Sequence, residues 1–183
     1  MEVKNKYTLI ACANKKWAIG KDNGLMYHIH IDMMNFKSLT TGNVVIMGRK
    51  TFESLPGKKP LKNRINIIIT SREDYQVAPD NWSTDDINNT YFANSLEDAD
   101  LLCEAFFSDK ELFIIGGGQI YEKAYELGMV NKAIITYVND ESEGDTYLHN
   151  YDEDDNYKTI FRTASLRDHA LQIYYRYIVY LKK

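Results

Sequence analysis

Apolar positions along this chain follow two rhythms. Short unbroken apolar runs recur at residues 7–13, 44–47, 64–70, 111–115 and 132–138. Runs of that length, bounded by polar residues, predict strands buried on both faces. Ile65, Ile67, Ile68 and Ile69 give the strongest strand signal. Between the runs the spacing becomes helical. Asp32, Asn35, Phe36 and Leu39 stand at i, i+3, i+4 and i+7, one face of a helix over 31–40 that stops at Thr41-Gly42-Asn43. Ser95 caps a second helix, with a carboxylate three residues on and a stripe of Leu96, Ala99, Cys103 and Phe106. A third places Ile120, Tyr121, Ala124 and Leu127 on one side and stops at Gly128. A short helical stretch runs from Gly48 to Leu55, followed by a turn over 56–60. Residues 90–93 form a short strand. Segment 71–89 is polar and reads as surface loop, and 139–156 as an acidic loop whose charges are solvated. Residues 157–165 and 170–181 read as a closing antiparallel pair; in the second, Leu171, Ile173, Tyr175, Tyr177, Val179 and Leu181 alternate with more polar positions. Strand–helix alternation ending in a strand pair predicts an α/β protein, its mixed sheet mostly parallel with an antiparallel C-terminal edge.

The length of 183 residues suits one domain spanning 1–183, and 44% hydrophobic content suits a core of that size. A net charge of −4 argues against nucleic acid as a primary partner. No apolar run has the roughly 20 residues of a membrane span. The polar N-terminus lacks a secretory apolar region, so a cytoplasmic protein is expected. Cys12 and Cys103 lie apart in apolar runs and read as buried thiols rather than a bridge. His28, His30, His149 and His169 are scattered, and no metal set is expected.

Chemistry concentrates at strand ends. Gly48-Arg49-Lys50-Thr51 opens a helix, where free N–H groups and two cations favour a phosphate. Gly116-Gly117-Gly118 precedes Gln119 and lets backbone approach a ligand; its spacing is not that of the Rossmann fingerprint. Thr70-Ser71-Arg72 adds hydroxyls and a further cation at a third strand end. Ligands of open α/β sheets gather at the carboxyl ends of strands, so three such ends suggest a cofactor with more than one phosphate. Asp32 beside Phe36 is costly to desolvate unless hydrogen-bonded, which makes it a candidate for acid–base or electrostatic work. The connection 14–31, with Gly20 and Gly24, is long enough to be a lid.

These motifs, in this order and spacing, resemble the dihydrofolate reductase family over about residues 8–181. The matching pieces are Leu9-Ile10-Ala11, Trp17-Ala18-Ile19-Gly20, Asp32 with Phe36-Lys37, the stretch Val45 to Ser54 around Gly48-Arg49, Arg64-Ile65-Asn66, Ile114-Ile115-Gly116-Gly117-Gly118-Gln119-Ile120-Tyr121, and Glu143-Gly144-Asp145-Thr146. The resemblance implies an eight-stranded mixed sheet flanked by helices, and a monomeric, cytoplasmic enzyme of a kind that is an antifolate target. It implies NADPH-dependent reduction of 7,8-dihydrofolate to tetrahydrofolate, with hydride passing to pterin C6 and a proton from water to N5. Asp32 would be the acid of the pterin pocket, with Thr136 sharing its contact through water. Ile10 and Ile115 carbonyls would line the pterin edge, near Ala11 and Tyr121. Leu25, Met33, Phe36 and Leu55 would form apolar walls, and Arg64 would take the α-carboxylate of the glutamate tail. Gly48, Arg49, Lys50, Thr51, Thr70, Ser71 and Arg72 would hold the cofactor phosphates. Ala13, Ile19, Gly20, Ile115, Gly116, Gly117, Gly118, Gln119, Ile120 and Tyr121 would line the rest of its site, with a cis peptide at Gly116-Gly117.

The lid departs from the family pattern. Leu25-Met26-Tyr27 stands where Leu-Pro-Trp or Met-Pro-Trp is usual, and His30 replaces a common Pro. Tyr27 could hold an ordered water through its hydroxyl, and with Asp32 and Leu25 it completes the expected catalytic set. Two other classes stay open on sequence: a reductase of the riboflavin pathway, using NADPH on another pyrimidine, and a catalytically silent nucleotide- or RNA-binding module.

Overall fold

The computed structural model describes residues 6–72, 75 and 81–183. Its elements run in the order β1 (Tyr7–Asn14), β2 (Ala18–Lys21), β3 (Gly24–Leu25), α1 (His30–Thr40), β4 (Val44–Gly48), α2 (Arg49–Ser54), a 3-10 turn (Pro56–Lys58), β5 (Ile65–Ile69), α3 (Thr84–Asn88), β6 (Thr90–Ala93), α4 (Leu96–Phe106), β7 (Leu112–Ile114), α5 (Gly118–Glu126), β8 (Val130–Val138), β9 (Thr146–Tyr147), β10 (Tyr157–Arg162), β11 (Leu166–Asp168) and β12 (Ile173–Lys182). The main sheet follows the path β10-β12-β8-β1-β7-β4-β5-β6, eight strands, with β11 added beside β12. Pairings from β8 through β6 are parallel. Those of β12 with β8, β10 and β11 are antiparallel. The mostly parallel sheet with an antiparallel C-terminal edge is thus as the alternation implied.

The apolar runs are continuous because the central strands are covered on both faces. In β4, Val44 and Ile46 join the larger core cluster, while Val45 and Met47 join a second one with Phe52, Ile68, Trp82 and Phe113. Parallel pairing aligns the strands' carboxyl ends, so β7, β4 and β5 end side by side with Gly116, Gly48 and Thr70 just beyond or at their last residues.

Several expectations need correction. The connection 14–31 contains β2 and β3, which join β9 in a separate three-stranded sheet. The polar stretch 71–89 contains α3, held by a reciprocal capping box of Ser83 and Asp86, and a buried Trp82; its residues 73, 74 and 76–80 lie outside the described ones. In α4 the apolar stripe ends on Phe107, not Phe106. Phe106 is 70% exposed, whereas Phe107 is buried edge-on against Tyr91. The helix stops at Phe106, and Phe107, its C-cap, turns back inward with non-helical torsions. On α1, Leu39 is exposed and Thr40 is the buried residue. The acidic segment 139–156 is solvated only in part: it also carries β9, buried Leu148 and Tyr151, and Asp154, which accepts from Tyr125 at 2.7 Å and pairs with His149 at 2.8 Å. In β12 Leu171 lies outside the strand and is exposed. The buried residues are Tyr175, Ile178 and Tyr180, which fall on both faces of the strand, so its alternation is not a simple inside–outside one.

Candidate active site

Helix α1 crosses the sheet with Asp32 in its first turn. Asp32 Oδ1 accepts from the Thr136 hydroxyl at 2.5 Å, and Thr136 is buried on β8. Burial raises the Asp32 pKa, and the Thr136 bond works the other way. One oxygen of a partly desolvated carboxylate is therefore committed to the protein. Cross-strand register places Tyr177 of β12 directly opposite Thr136, so its ring flanks the same pocket. Asp32 is close enough to both Tyr177 and Cys12 that its charge helps push their pKa values up, though burial is the larger cause.

Arg64 stands at the other end of α1. It is 7% exposed, and its Nη1 donates to Thr40 Oγ1 at 3.2 Å while Nε donates to the Lys62 carbonyl at 3.0 Å. The guanidinium also lies over the Phe36 ring, 6.0 Å from its centroid. Among the described residues no carboxylate pairs with Arg64, and burial lowers its pKa. From Asp32 to Thr40 the helical rise is about 12 Å. One helix thus presents an acid near its start and a buried cation against its end, with Phe36 between them.

The neighbouring strand ends form a backbone cradle. The Gly116-Gly117 peptide is cis. Gly48 N–H donates to the Gly116 carbonyl at 2.8 Å, stitching the end of β4 to the glycine triplet. A Cβ on Gly117 would stand 3.0 Å from Thr51 Oγ1, so a side chain there would crowd the start of α2. Gly48 and Gly117 are the N-caps of α2 and α5, and neither helix has a side-chain cap. Tyr121, on α5, donates to the Ile10 carbonyl at 2.6 Å and ties this cradle to β1. Thr70 Oγ1 accepts from Arg72 N–H at 3.1 Å. Arg49 pairs with Glu53 on its own helix, at 2.8 Å, and lies over Tyr75.

Residues 14–27 cover the edge of this region. Asp145 Oδ2 accepts from Asp22 N–H at 2.7 Å, and Asp145 N–H donates to the Gly20 carbonyl at 3.0 Å. A Cβ at Gly144 would stand 2.6 Å from the Gly20 carbonyl oxygen, so only glycine allows this approach. Tyr27 donates to Asp140 at 2.5 Å and accepts from Asn14 at 3.2 Å.

Comparison with known proteins agrees with this geometry. The family model described as dihydrofolate reductase matches residues 6–182. The dihydrofolate reductase of Bacillus subtilis is 34% identical over 165 residues, 90% of this chain and 88% of that one. The chain belongs to the dihydrofolate reductase family. The enzyme of that name from Neisseria meningitidis is 41% identical over 143 residues, 78% of each chain. The fold matches dihydrofolate reductase from Enterococcus faecalis, solved in complex with NADP(H) and RAB-propyl, with a TM-score of 0.79 at 23% identity over 98% of both chains.

In this dihydrofolate reductase family member the expected site residues fall into three groups. Asp32 and Phe36 lie on α1, and Thr136 donates to Asp32; Ile10 and Ala11 lie on β1, Ile10 packed on the second core cluster and Ala11 in the larger one. Leu55 and Ile115 join Ile10 at the edge of the second core cluster. Leu25 and Met33 are exposed, on the lid and on the outer side of α1. The second group is the cofactor set: Gly48, Lys50, Thr51, Thr70, Ser71, Arg72, Gly116, Gly117, Gly118, Gln119, Ile120 and Tyr121 lie at or just past the ends of β4, β5 and β7, and Ala13, Ile19 and Gly20 lie at the lid's base. Arg49 belongs to that set by position, but Glu53 already holds its guanidinium. Tyr27 forms the third group alone, its hydroxyl engaged by Asp140 and Asn14. Sequence reasoning missed Asn14, Asp140 and Tyr177. Asn14 is a fully buried amide at the end of an apolar strand, and that polar residue at the lid's first position was its only signal. Asp140 was hidden in a segment whose acidity reads as solvated surface.

Proposed function

We propose that this protein reduces 7,8-dihydrofolate to 5,6,7,8-tetrahydrofolate with NADPH. The observation that carries the reading is the pair of unmatched charges bracketing α1. Asp32 keeps one oxygen outside its Thr136 bond, and Arg64 is a buried cation with no carboxylate partner among the described residues. Dihydrofolate is complementary to that pair. Its amidine-like pterin edge carries donors, its far end carries carboxylates, and an aromatic ring joins the two. The pterin N3–H and 2-amino group would donate to Asp32, and those donors favour the ionised carboxylate that burial opposes. The glutamate α-carboxylate would meet the Arg64 fork, a geometry suited to a guanidinium. Phe36, Leu55, Met33 and Leu25 would supply apolar contacts along the middle.

The strand-end cradle suits a dinucleotide with several phosphates. Gly117 brings backbone close to Thr51, where a side chain would crowd its hydroxyl, and α2 and α5 start side by side with no side-chain caps. Lys50, Thr51, Ser71 and Arg72 would hold the phosphates, and Arg72 and Ser71 would take the 2′-phosphate. When bound, the dihydronicotinamide supplies the hydride. The chain's own part is to orient and to dry the site: the lid excludes water, Tyr121 and Ile10 fix the β1 edge, and Asp32 polarises the pterin toward its protonated form. The purified protein should oxidise NADPH only when dihydrofolate is present. Equal oxidation with and without dihydrofolate, or tight dihydrofolate binding with no turnover, would remove the reading.

A further inference from the structure

The lid of this chain lacks the proline and tryptophan usual at its second and third motif positions, and the structure shows what stands there instead. Tyr27 stands two residues past the end of β3, with Met26 between. Its hydroxyl donates to Asp140 Oδ2 at 2.5 Å and accepts from Asn14 Nδ2 at 3.2 Å. The same Asn14 nitrogen donates to the Ser142 carbonyl at 2.8 Å. Asn14 Oδ1 accepts from the N–H groups of Lys16 and Ala18, both at 3.0 Å. Asp140 Oδ2 also accepts from Ser142 N–H at 3.0 Å, and the Asp140 carbonyl accepts from Lys15 N–H at 3.0 Å. Both legs of the lid are thereby joined to one turn at residues 140–142. The lid's tip has a separate tether, the exposed contact of Asp22 N–H with Asp145.

These two tethers differ in kind. The tip bond runs from a backbone N–H to a carboxylate in solvent, and water can replace it. The Tyr27–Asp140 bond also ends on a carboxylate, but it is partly buried, where water competes less for a charge-assisted bond. Asn14 is wholly buried, so opening the leg would strand an amide that has no water to turn to. The leg is therefore the fixed part of the lid and the tip the yielding part.

We propose that Asp140 is a positioning residue for hydride transfer: acting through Tyr27, and with Asn14 as the hinge pin, it latches the C-terminal leg of the lid over the cleft. The latch takes over the restraint that a proline would supply at position 26 by limiting backbone torsions. It rests on the activity assigned above, and part of its test does not. Tyr27→Phe keeps the ring packed near Ile29, Val138 and Tyr175 while removing both hydroxyl bonds. Asp140→Ala removes the other half.

In ligand-free protein, amide hydrogen exchange over residues 18–27 should quicken to the same extent in Tyr27→Phe, in Asp140→Ala and in the double variant, with the core strands unchanged. In single turnovers with NADPH and dihydrofolate, each variant should slow hydride transfer about tenfold, and the double variant no further, because coupled residues are not additive. Asp145→Ala, which cuts the separate tether, should multiply with Tyr27→Phe instead. NADPH affinity should not move in any of them. Wild-type exchange in Asp140→Ala, or multiplying effects of Tyr27→Phe and Asp140→Ala on either readout, would overturn the latch. A wild-type protein that fails to turn over dihydrofolate would overturn the activity and leave the exchange experiment to decide the latch by itself.

Discussion

Helix starts on the two sides of this molecule are built differently. Away from the cleft, Ser95 caps α4 by accepting from Asp98 N–H, and Ser83 and Asp86 close a reciprocal box on α3. Near them Tyr7 donates to Asp100 at 2.5 Å, and Lys6 pairs with Asp100 at 3.0 Å. On the cleft, α1, α2 and α5 begin at Ile29, Gly48 and Gly117 with no side-chain cap. The cleft's two most buried charges are also incomplete: Arg64 has no acid partner among the described residues, and Asp32 is held by a single hydroxyl. An uncapped helix start leaves orphan N–H groups, and a partly desolvated charge costs stability. One region satisfies its own polar groups. The other leaves them for a ligand, and this division separates stability from function more sharply than burial does.

The largest effect should come from removing the cleft's acid. Asp32→Asn keeps the shape but offers one carbonyl oxygen and no charge. We expect kcat/KM for dihydrofolate at neutral pH to fall on the order of a hundredfold to a thousandfold, the range for removing one electrostatic partner. NADPH affinity should stay, since the cofactor set lies on other strand ends. Activity should recover in part at low pH, where the substrate is protonated without help. The stability effect has the opposite sign. Burial raises the folded-state pKa of Asp32 above its unfolded value, so the folded protein binds this proton more tightly. The acid's contribution is therefore most favourable below the unfolded pKa and declines as pH rises through the folded one. At neutral pH the Asn variant should melt at a higher temperature than the parent, and the gap should close on acidification. A pH series of melting and of kcat/KM measures both. A variant that melts lower and turns over normally would make Asp32 an ordinary helix-start carboxylate.

Arg64 sharpens the same comparison at the other end of α1. Arg64→Gln removes a buried charge and its fork, and a bond to a charged group contributes about 1.5–3 kcal/mol, so KM for dihydrofolate should rise roughly tenfold to a hundredfold. kcat should hold, because the contact lies far from the reacting atoms. A substrate analogue lacking the glutamate should bind the two proteins equally. Equal losses for both substrates would mean that Arg64 serves only to brace Thr40 and Phe36.

What could be read in the sequence was what local patterning encodes. The apolar runs marked β1, β4, β5, β7 and β8 because a strand covered on both faces has no polar side. Asp32 and the glycine triplet stood out because their types are unusual at such places, while Arg64 was marked only by the resemblance to the family. Long-range pairings left less trace. β2 pairs on one side with β3 and on the other with β9, more than a hundred residues away, and no local period announces that second pairing. Asp140 looked like one acid among many until Tyr27 was brought to it across the fold. Arg49 is the converse case. Its local pattern was right for an anion, but an i,i+4 carboxylate, Glu53, competes for the same guanidinium.

That competition sets the next prediction. Arg72→Ala should cut the preference for NADPH over NADH about tenfold, the scale of one charge-assisted bond. Arg49→Ala should cut it by less than that bond's full worth, since part of what Arg49 offers is spent on Glu53. NADH kinetics should stay nearly constant in both. A full tenfold loss in Arg49→Ala would mean that the Glu53 pair opens on cofactor binding at little cost.

The smallest effect on activity should come from the satisfied side. Ser95 accepts from Asp98 N–H at 3.1 Å and begins a helix that packs Leu96, Ala99 and Cys103 into the main core. Ser95→Ala strands that N–H at the start of α4 and should cost about 1 kcal/mol, the usual worth of an N-cap. In a protein of this size such a loss lowers the melting temperature by roughly 2–4 °C. None of the cleft's helix starts lies on α4, so kcat, both KM values and the NADPH preference should match the parent at temperatures well below melting. Glu97 and Asp98 remain in the first turn and keep the helix dipole served, which limits the damage to the single bond. Calorimetry beside steady-state kinetics tests the division itself. A cap lost from α4 that leaves melting unchanged but slows turnover would show that the two kinds of helix start are not separable, and that the uncapped helix starts owe their form to something other than ligand.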